Sequence, residues 1–298
     1  MTAITLLDGS IGQELVKRSG DRATPLWSTQ VMMDHPQIVR DVHDAYFAAG
    51  ATVATTNTYA VLRDRLARVG LEDRVGHLAD VAVSAAIAAR DAHGGGRVAG
   101  AVGPLVQSYR PDLCPAAAEA ALIYAEPVAA IAPRVDLLLF ETMCSVDQAR
   151  GACLAARAAG VPLWLAVSVM DEDGTRLRSG EPLGDLAPLL AEFTPDAILL
   201  NCSPPEAITQ GLPHIADFGL PFGAYANGFT RISEGFLGAA PTVDALEQRT
   251  DLSPGTYAAT VMGWIDAGAT IVGGCCEIGP DHIAELARRI REAGHEIV

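Results

Sequence analysis

Cysteine is scarce: six residues in a chain of 298. That density excludes a disulfide-stapled scaffold, which crowds its bridges into a short secreted chain. Basic residues are also few, 21 Lys and Arg against 36 Asp and Glu, for a formal net charge of −15. Nucleic acid or an anionic membrane surface is therefore not an expected partner, whereas a small cation is admissible. No run of about 18 uninterrupted apolar residues occurs, so no membrane-spanning helix is expected. The opening Met1-Thr2-Ala3-Ile4-Thr5-Leu6-Leu7-Asp8 lacks the basic start and longer apolar stretch of a signal peptide, and a cytoplasmic protein is expected. Aromatics amount to only 5%, but 50% of the residues are hydrophobic, which is the composition of a folded globular chain.

What the sequence does contain is a recurring unit: a short β-branched apolar run, a polar or glycine turn, then a helix start. The expected strands are Ile4–Leu7, Thr52–Thr55, Val98–Ala101, Leu137–Phe140, Leu163–Val169, Ala197–Leu200, Phe222–Tyr225 and Thr270–Val272. Most are continuously apolar, as parallel strands covered on both faces must be. Ser10 with Gln13, Ser145 with Gln148, and Ser203-Pro204 with Glu206 have helix-capping spacing, and Ser253-Pro254 opens a further helix. Gly20 is placed to close the first of these helices. In the last helix Ile283, Leu286, Ala287 and Ile290 share one face. Gly94-Gly95-Gly96 reads as the loop before the third strand, and Gly228 to Leu252 as an insertion between the seventh strand and its helix. Alternating strands and helices imply a parallel sheet. Eight units favour a single (β/α)8 TIM barrel, one domain over 1–298, a size such barrels commonly approach at about 250 residues.

A barrel builds its active site at the C-terminal mouth, from the residues that follow each strand. Here those are Asp8, Thr56, Asn57, Gly103, Glu141, Ser168, Asn201, Cys202, Asn227, Cys275 and Cys276. Three cysteines from two neighbouring strand ends describe a soft-metal site, zinc by preference. Cys202 precedes a helix start, whose free N–H groups favour a thiolate. Gly273 and Gly274 remove side chains before the cysteine pair, which would let the backbone approach an ion. Cys275 and Cys276 reach one ion only if the chain leaves the extended form there. Cys114, Cys144 and Cys153 read as structural. With His282 set inside the last helix, three protein ligands and one open position remain, the pattern of a catalytic zinc. A fourth ligand from His282 or Glu277 would instead make the site structural or regulatory. Asp8 and Glu141 suit the ammonium group of a ligand.

The stretches Leu7-Asp8-Gly9-Ser10, Thr56-Asn57-Thr58-Tyr59, Val102-Gly103-Pro104-Leu105, Phe140-Glu141-Thr142-Met143, Asn201-Cys202-Ser203, Tyr225-Ala226-Asn227 and Gly273-Gly274-Cys275-Cys276 run along nearly the whole chain. In that combination the sequence resembles the zinc-dependent homocysteine S-methyltransferase family, which includes S-methylmethionine-, betaine- and cobalamin-linked enzymes. The resemblance implies zinc held by Cys202, Cys275 and Cys276, and a homocysteine amino group held by Asp8 and Glu141. It implies methyl transfer to the zinc-bound thiolate, giving methionine. Ser10 stands where the family has a second glycine, Glu277-Ile278-Gly279-Pro280 replaces the usual small or basic residue and threonines, and Gly228-Phe229-Thr230 lacks the usual Gly-Glu. The chain ends soon after the eighth unit, without room for a cobalamin domain or a long C-terminal arm. S-methylmethionine or S-adenosylmethionine is therefore the expected donor, and a separate corrinoid or folate protein the alternative partner.

Overall fold

The computed structural model describes residues 1–20, 26–238 and 246–298. All eight expected strands are present: β1 (Ala3–Leu6), β2 (Val53–Thr55), β3 (Arg97–Val102), β4 (Leu137–Met143), β5 (Leu163–Val167), β6 (Ala197–Asn201), β7 (Phe222–Tyr225) and β8 (Ile271–Val272). A two-residue β9 (Glu296–Ile297), not foreseen, pairs with the outer half of β1. The strands form one parallel sheet in the order β2-β3-β4-β5-β6-β7-β8-β1-β9. Beyond β1 the chain reaches β2 as well: Leu7 bridges Val53, and the Thr52 N–H donates to the Leu6 carbonyl at 2.7 Å. The sheet is thus curled and barrel-like.

Side chains alternate across it. Leu137 and Leu139 of β4 join Leu7, Val53, Ala99, Leu199 and Ile271 inside the curl. Leu138 and Phe140 join the larger core beneath the helices. Both faces are buried, which is why the strands read as unbroken apolar runs rather than alternating ones.

The outer layer is α1 (Ile11–Ser19), α2 (Ser28–Asp34), α3 (Pro36–Ala49), α4 (Arg63–Leu66), α5 (Val75–His93), α6 (Ala117–Ile131), α7 (Val146–Ala156), α8 (Ala187–Phe193), α9 (Pro205–Ala216), α10 (Pro254–Asp266) and α11 (Pro280–Glu292). Among the described residues no helix is long and apolar enough to cross a membrane. Ser145 and Ser253 cap α7 and α10, accepting from the N–H groups of Gln148 and Thr256. Gly20 closes α1 in the left-handed conformation, and α11 buries Ile283, Leu286, Ala287 and Ile290.

Two expected caps are overturned. The Ser10 hydroxyl donates to the Gln13 side chain at 2.7 Å and caps no backbone group. Ser203 lies outside α9, which starts at Pro205, and its hydroxyl bonds both backbone groups of Val169 at 3.0 Å. Tertiary contacts win in both places: Val169 takes the Ser203 hydroxyl, and the loop after β8 takes the Ser10 N–H and the Gln13 side chain that a capping box would use. The insertion Gly228–Leu252 does separate β7 from α10; its residues 239–245 lie outside the described residues.

Candidate active site

Cys202, Cys275 and Cys276 converge, their sulfurs all within 4.8 Å of one another. Cys275 Sγ lies 2.8 Å and Cys276 Sγ 3.7 Å from Cys202 Sγ. Convergence depends on the chain leaving the strand, as the sequence requires. β8 stops at Val272, and Cys275 to Ile278 form a turn in which the Ile278 N–H donates to the Cys275 carbonyl at 3.1 Å. That turn is fixed from outside: the Cys275 N–H donates to the Ala226 carbonyl at 2.8 Å, and the Gly228 N–H to the Cys276 carbonyl at 2.8 Å. The two preceding glycines are required by protein packing. A Cβ on Gly273 would stand 2.5 Å from that of Leu7, and one on Gly274 would overlap the Ile278 side chain.

Cys202 has left-handed backbone, φ 50°, a conformation costly for a residue with a side chain. α9 starts at Pro205, three residues beyond Cys202 rather than immediately after it. The stabilising groups are instead side chains. Cys202 accepts hydrogen bonds from Cys275 and Cys276, then from Tyr109, with the Arg178 charge nearby, and its thiol is held well below the ordinary value. Cys275 and Cys276, hydrogen-bonded to it and half-buried, are pushed up. Three clustered sulfurs, one already favouring the thiolate, fit a soft metal ion.

Asp8 and Glu141 open onto the same cavity, together with all three cysteines. Asp8 takes the Thr55 N–H at 2.6 Å and the Thr55 hydroxyl at 2.7 Å. Burial outweighs those bonds and pushes its carboxyl up to about 8. Glu141 sits on an irregularity of β4, where the register against β5 shifts between Phe140 and Met143. It takes the Tyr225 hydroxyl at 3.1 Å and approaches the Asn201 amide at 3.5 Å. Burial first, then the Cys202 charge, raises it to about 8 as well. Among the described residues no cationic side chain pairs with either carboxyl.

Thr56 and Asn57 also line the cavity, while Gly103, Ser168, Asn201 and Asn227 stand behind it. Gly103 packs on Tyr59, whose carbonyl would be 2.6 Å from a Cβ there. His282 and Glu277 do not join the sulfurs: the His282 ring bonds the Leu252 carbonyl at 3.1 Å, and Glu277 bonds Gln13. Cys114 is half-buried and Cys153 buried in α7, while Cys144 packs in the apolar wall beside Cys202. Sequence reasoning missed Tyr109, whose hydroxyl donates to Cys202 Sγ at 3.0 Å, and the buried pair Arg178–Asp171, 2.6 Å apart. It also missed the aromatic wall of Trp27, Tyr59, Tyr225, Phe229 and Phe236. These residues come mainly from irregular loops, where no periodicity marks them.

A curled α/β sheet with a thiol trio and paired carboxylates at its mouth defines a class, and the homocysteine S-methyltransferase family profile matches residues 5–290. The chain belongs to that family. It is 30% identical to the homocysteine S-methyltransferase of Escherichia coli, over 96% of this chain and 95% of that protein. It is 26% identical to homocysteine S-methyltransferase YbgG of Bacillus subtilis, over 95% and 93% respectively. The crystal structure of the homocysteine methyltransferase MmuM from Escherichia coli in its metallated form superposes with a TM-score of 0.80, at 29% identity, covering 97% of this chain and 96% of that one.

Proposed function

We propose that the chain is a single (β/α)8 barrel enzyme of the cytoplasm that methylates homocysteine, with zinc at its C-terminal mouth held by Cys202, Cys275 and Cys276. The convergence of the three sulfurs beside two carboxylates in one cavity carries this reading. A free thiol is only a few per cent ionised at pH 7; zinc bound by the trio would supply the acceptor as thiolate. Asp8 and Glu141 hold the amino group of the acceptor, and each is aimed by fixed donors, Thr55 for Asp8 and Tyr225 for Glu141. The acceptor is thereby oriented before the donor arrives.

The aromatic wall suits a small sulfonium donor, since a cation is stabilised over ring faces and more so where water is excluded. S-methylmethionine or S-adenosylmethionine is the proposed donor. The acceptor sulfur forms a bond to the methyl carbon as the donor C–S bond breaks, and that electron pair returns to the donor sulfur. Opposite charges are neutralised in the step, which a dry mouth favours. A structural or regulatory metal barrel is disfavoured, because His282 and Glu277 are committed elsewhere.

The test supplies homocysteine with S-methylmethionine, S-adenosylmethionine or a methylated corrinoid protein in turn and measures methionine. Turnover with a sulfonium supports the proposal; methionine from the corrinoid arm alone overturns the donor. Zinc near one equivalent in the purified protein, lost in Cys276→Ser, is expected; full zinc in that variant overturns the ligand set.

A further inference from the structure

Arg178 lies in no strand or helix and does not line the cavity, yet it is almost fully buried. Burying a guanidinium is costly unless every face is used. Here Nη2 pairs with Asp171 at 2.6 Å, Nε donates to the Ser168 hydroxyl at 2.7 Å, and Nη2 also reaches the Cys202 carbonyl at 3.4 Å. The Ser168 hydroxyl meets the same carbonyl at 3.4 Å. The guanidinium carbon sits 4.6 Å from the centroid of the Tyr109 ring, within cation–π range. Tyr109, itself in left-handed backbone at φ 63°, donates its hydroxyl to Cys202 Sγ at 3.0 Å. One arginine therefore restrains Cys202 at both ends: directly at its carbonyl, and through Tyr109 at its sulfur.

We propose that Tyr109, seated against Arg178, is a positioning residue for Cys202, holding its sulfur at one vertex of the metal site and drawing charge from it by hydrogen bonding. This rests on the reading of the cysteine trio as a metal site. Groups that orient a metal ligand from behind govern both affinity and electronic character. Cys202 stands in left-handed backbone directly after β6, so an external hold on the sulfur has a specific task.

Cobalt(II) in place of zinc supplies a readout independent of turnover, the thiolate-to-cobalt charge-transfer absorption. Tyr109→Phe keeps the ring under Arg178 and removes only the hydroxyl. The variant should still bind one cobalt(II), with the charge-transfer band moved to longer wavelength because the sulfur lone pair is no longer lowered by a donor. Zinc should be held about tenfold less tightly in competition with a chromogenic chelator. A 3-fluorotyrosine at position 109, a stronger donor of the same shape, should move the band the opposite way, a sign change that a merely structural role does not produce. It also carries the test should Tyr109→Phe fail to fold. Bands and affinities unchanged in both proteins overturn the proposal. Failure of the unsubstituted protein to bind cobalt(II) overturns the metal-site reading instead.

Discussion

With the acceptor's ammonium group held by Asp8 and Glu141 as proposed, two carboxyls raised to about 8 would make homocysteine binding a proton-releasing event. At pH 7 both are mostly neutral in the free protein. An arriving ammonium favours their ionised forms, so protons leave as it binds, in addition to the thiol proton. Calorimetry in buffers of different ionisation enthalpy should show about one proton fewer released in Asp8→Asn or Glu141→Gln than in the unsubstituted protein. The same variants should raise the KM for homocysteine by about 10–100-fold, the cost of losing a charge-assisted bond in a desolvated site. Homocysteine affinity should strengthen as pH rises to about 8, and more shallowly in either variant. His43 presents the opposite case. It is wholly buried on α3, neither ring nitrogen has a partner among the described residues, and burial lowers its pKa to about 4. Between its ordinary value of 6.5 and about 4, the unfolded chain takes up a proton that the folded chain refuses. Stability should therefore fall by up to about 3 kcal/mol across that window. His43→Leu should move the acid-unfolding midpoint to lower pH; an unmoved midpoint refutes the assignment.

Among the elements, the turn after β8 depends most on its neighbours. Ser10 and Glu277, two of the departures from the family pattern, are brought together by Gln13. Its Oε1 accepts from the Ser10 hydroxyl at 2.7 Å and from the Glu277 N–H at 2.6 Å. The Ser10 N–H donates to the Ile278 carbonyl at 2.9 Å. The first turn of α1 thus holds the cysteine loop, which is why the expected capping box at Ser10 does not form. Gly274→Ala would force Ile278 aside. A loss of about 1–3 kcal/mol is expected in chemical denaturation, as for other overpacked sites, with zinc content falling alongside.

For the molecule as a whole, the eight strands were legible because a sheet buried on both faces writes itself as apolar runs. The site was legible where chemistry stands just past a strand, as Asp8, Cys202, Cys275 and Cys276 do; Glu141, expected after β4, lies inside it, because β4 runs on through its irregularity to Met143. Caps at Ser145 and Ser253 could be read because nothing nonlocal competes for those hydroxyls, whereas Ser203 is claimed by Val169. Tyr109, Arg178 and Asp171 were invisible, since long loops carry no period and a buried ion pair has no local signature. β9 escaped notice because two residues, one of them Glu296, give no hydrophobic pattern.

Cys202 follows β6 and the cysteine pair follows β8, so the trio brackets β7, which pairs with both strands. An ion gripped there would act as a rivet across three adjacent strands. Stripping it with a chelator should accelerate backbone amide deuterium uptake over residues 222–228 far more than over β3 or β4 on the opposite side. Uniform uptake across the sheet would show that the rivet bears no mechanical load.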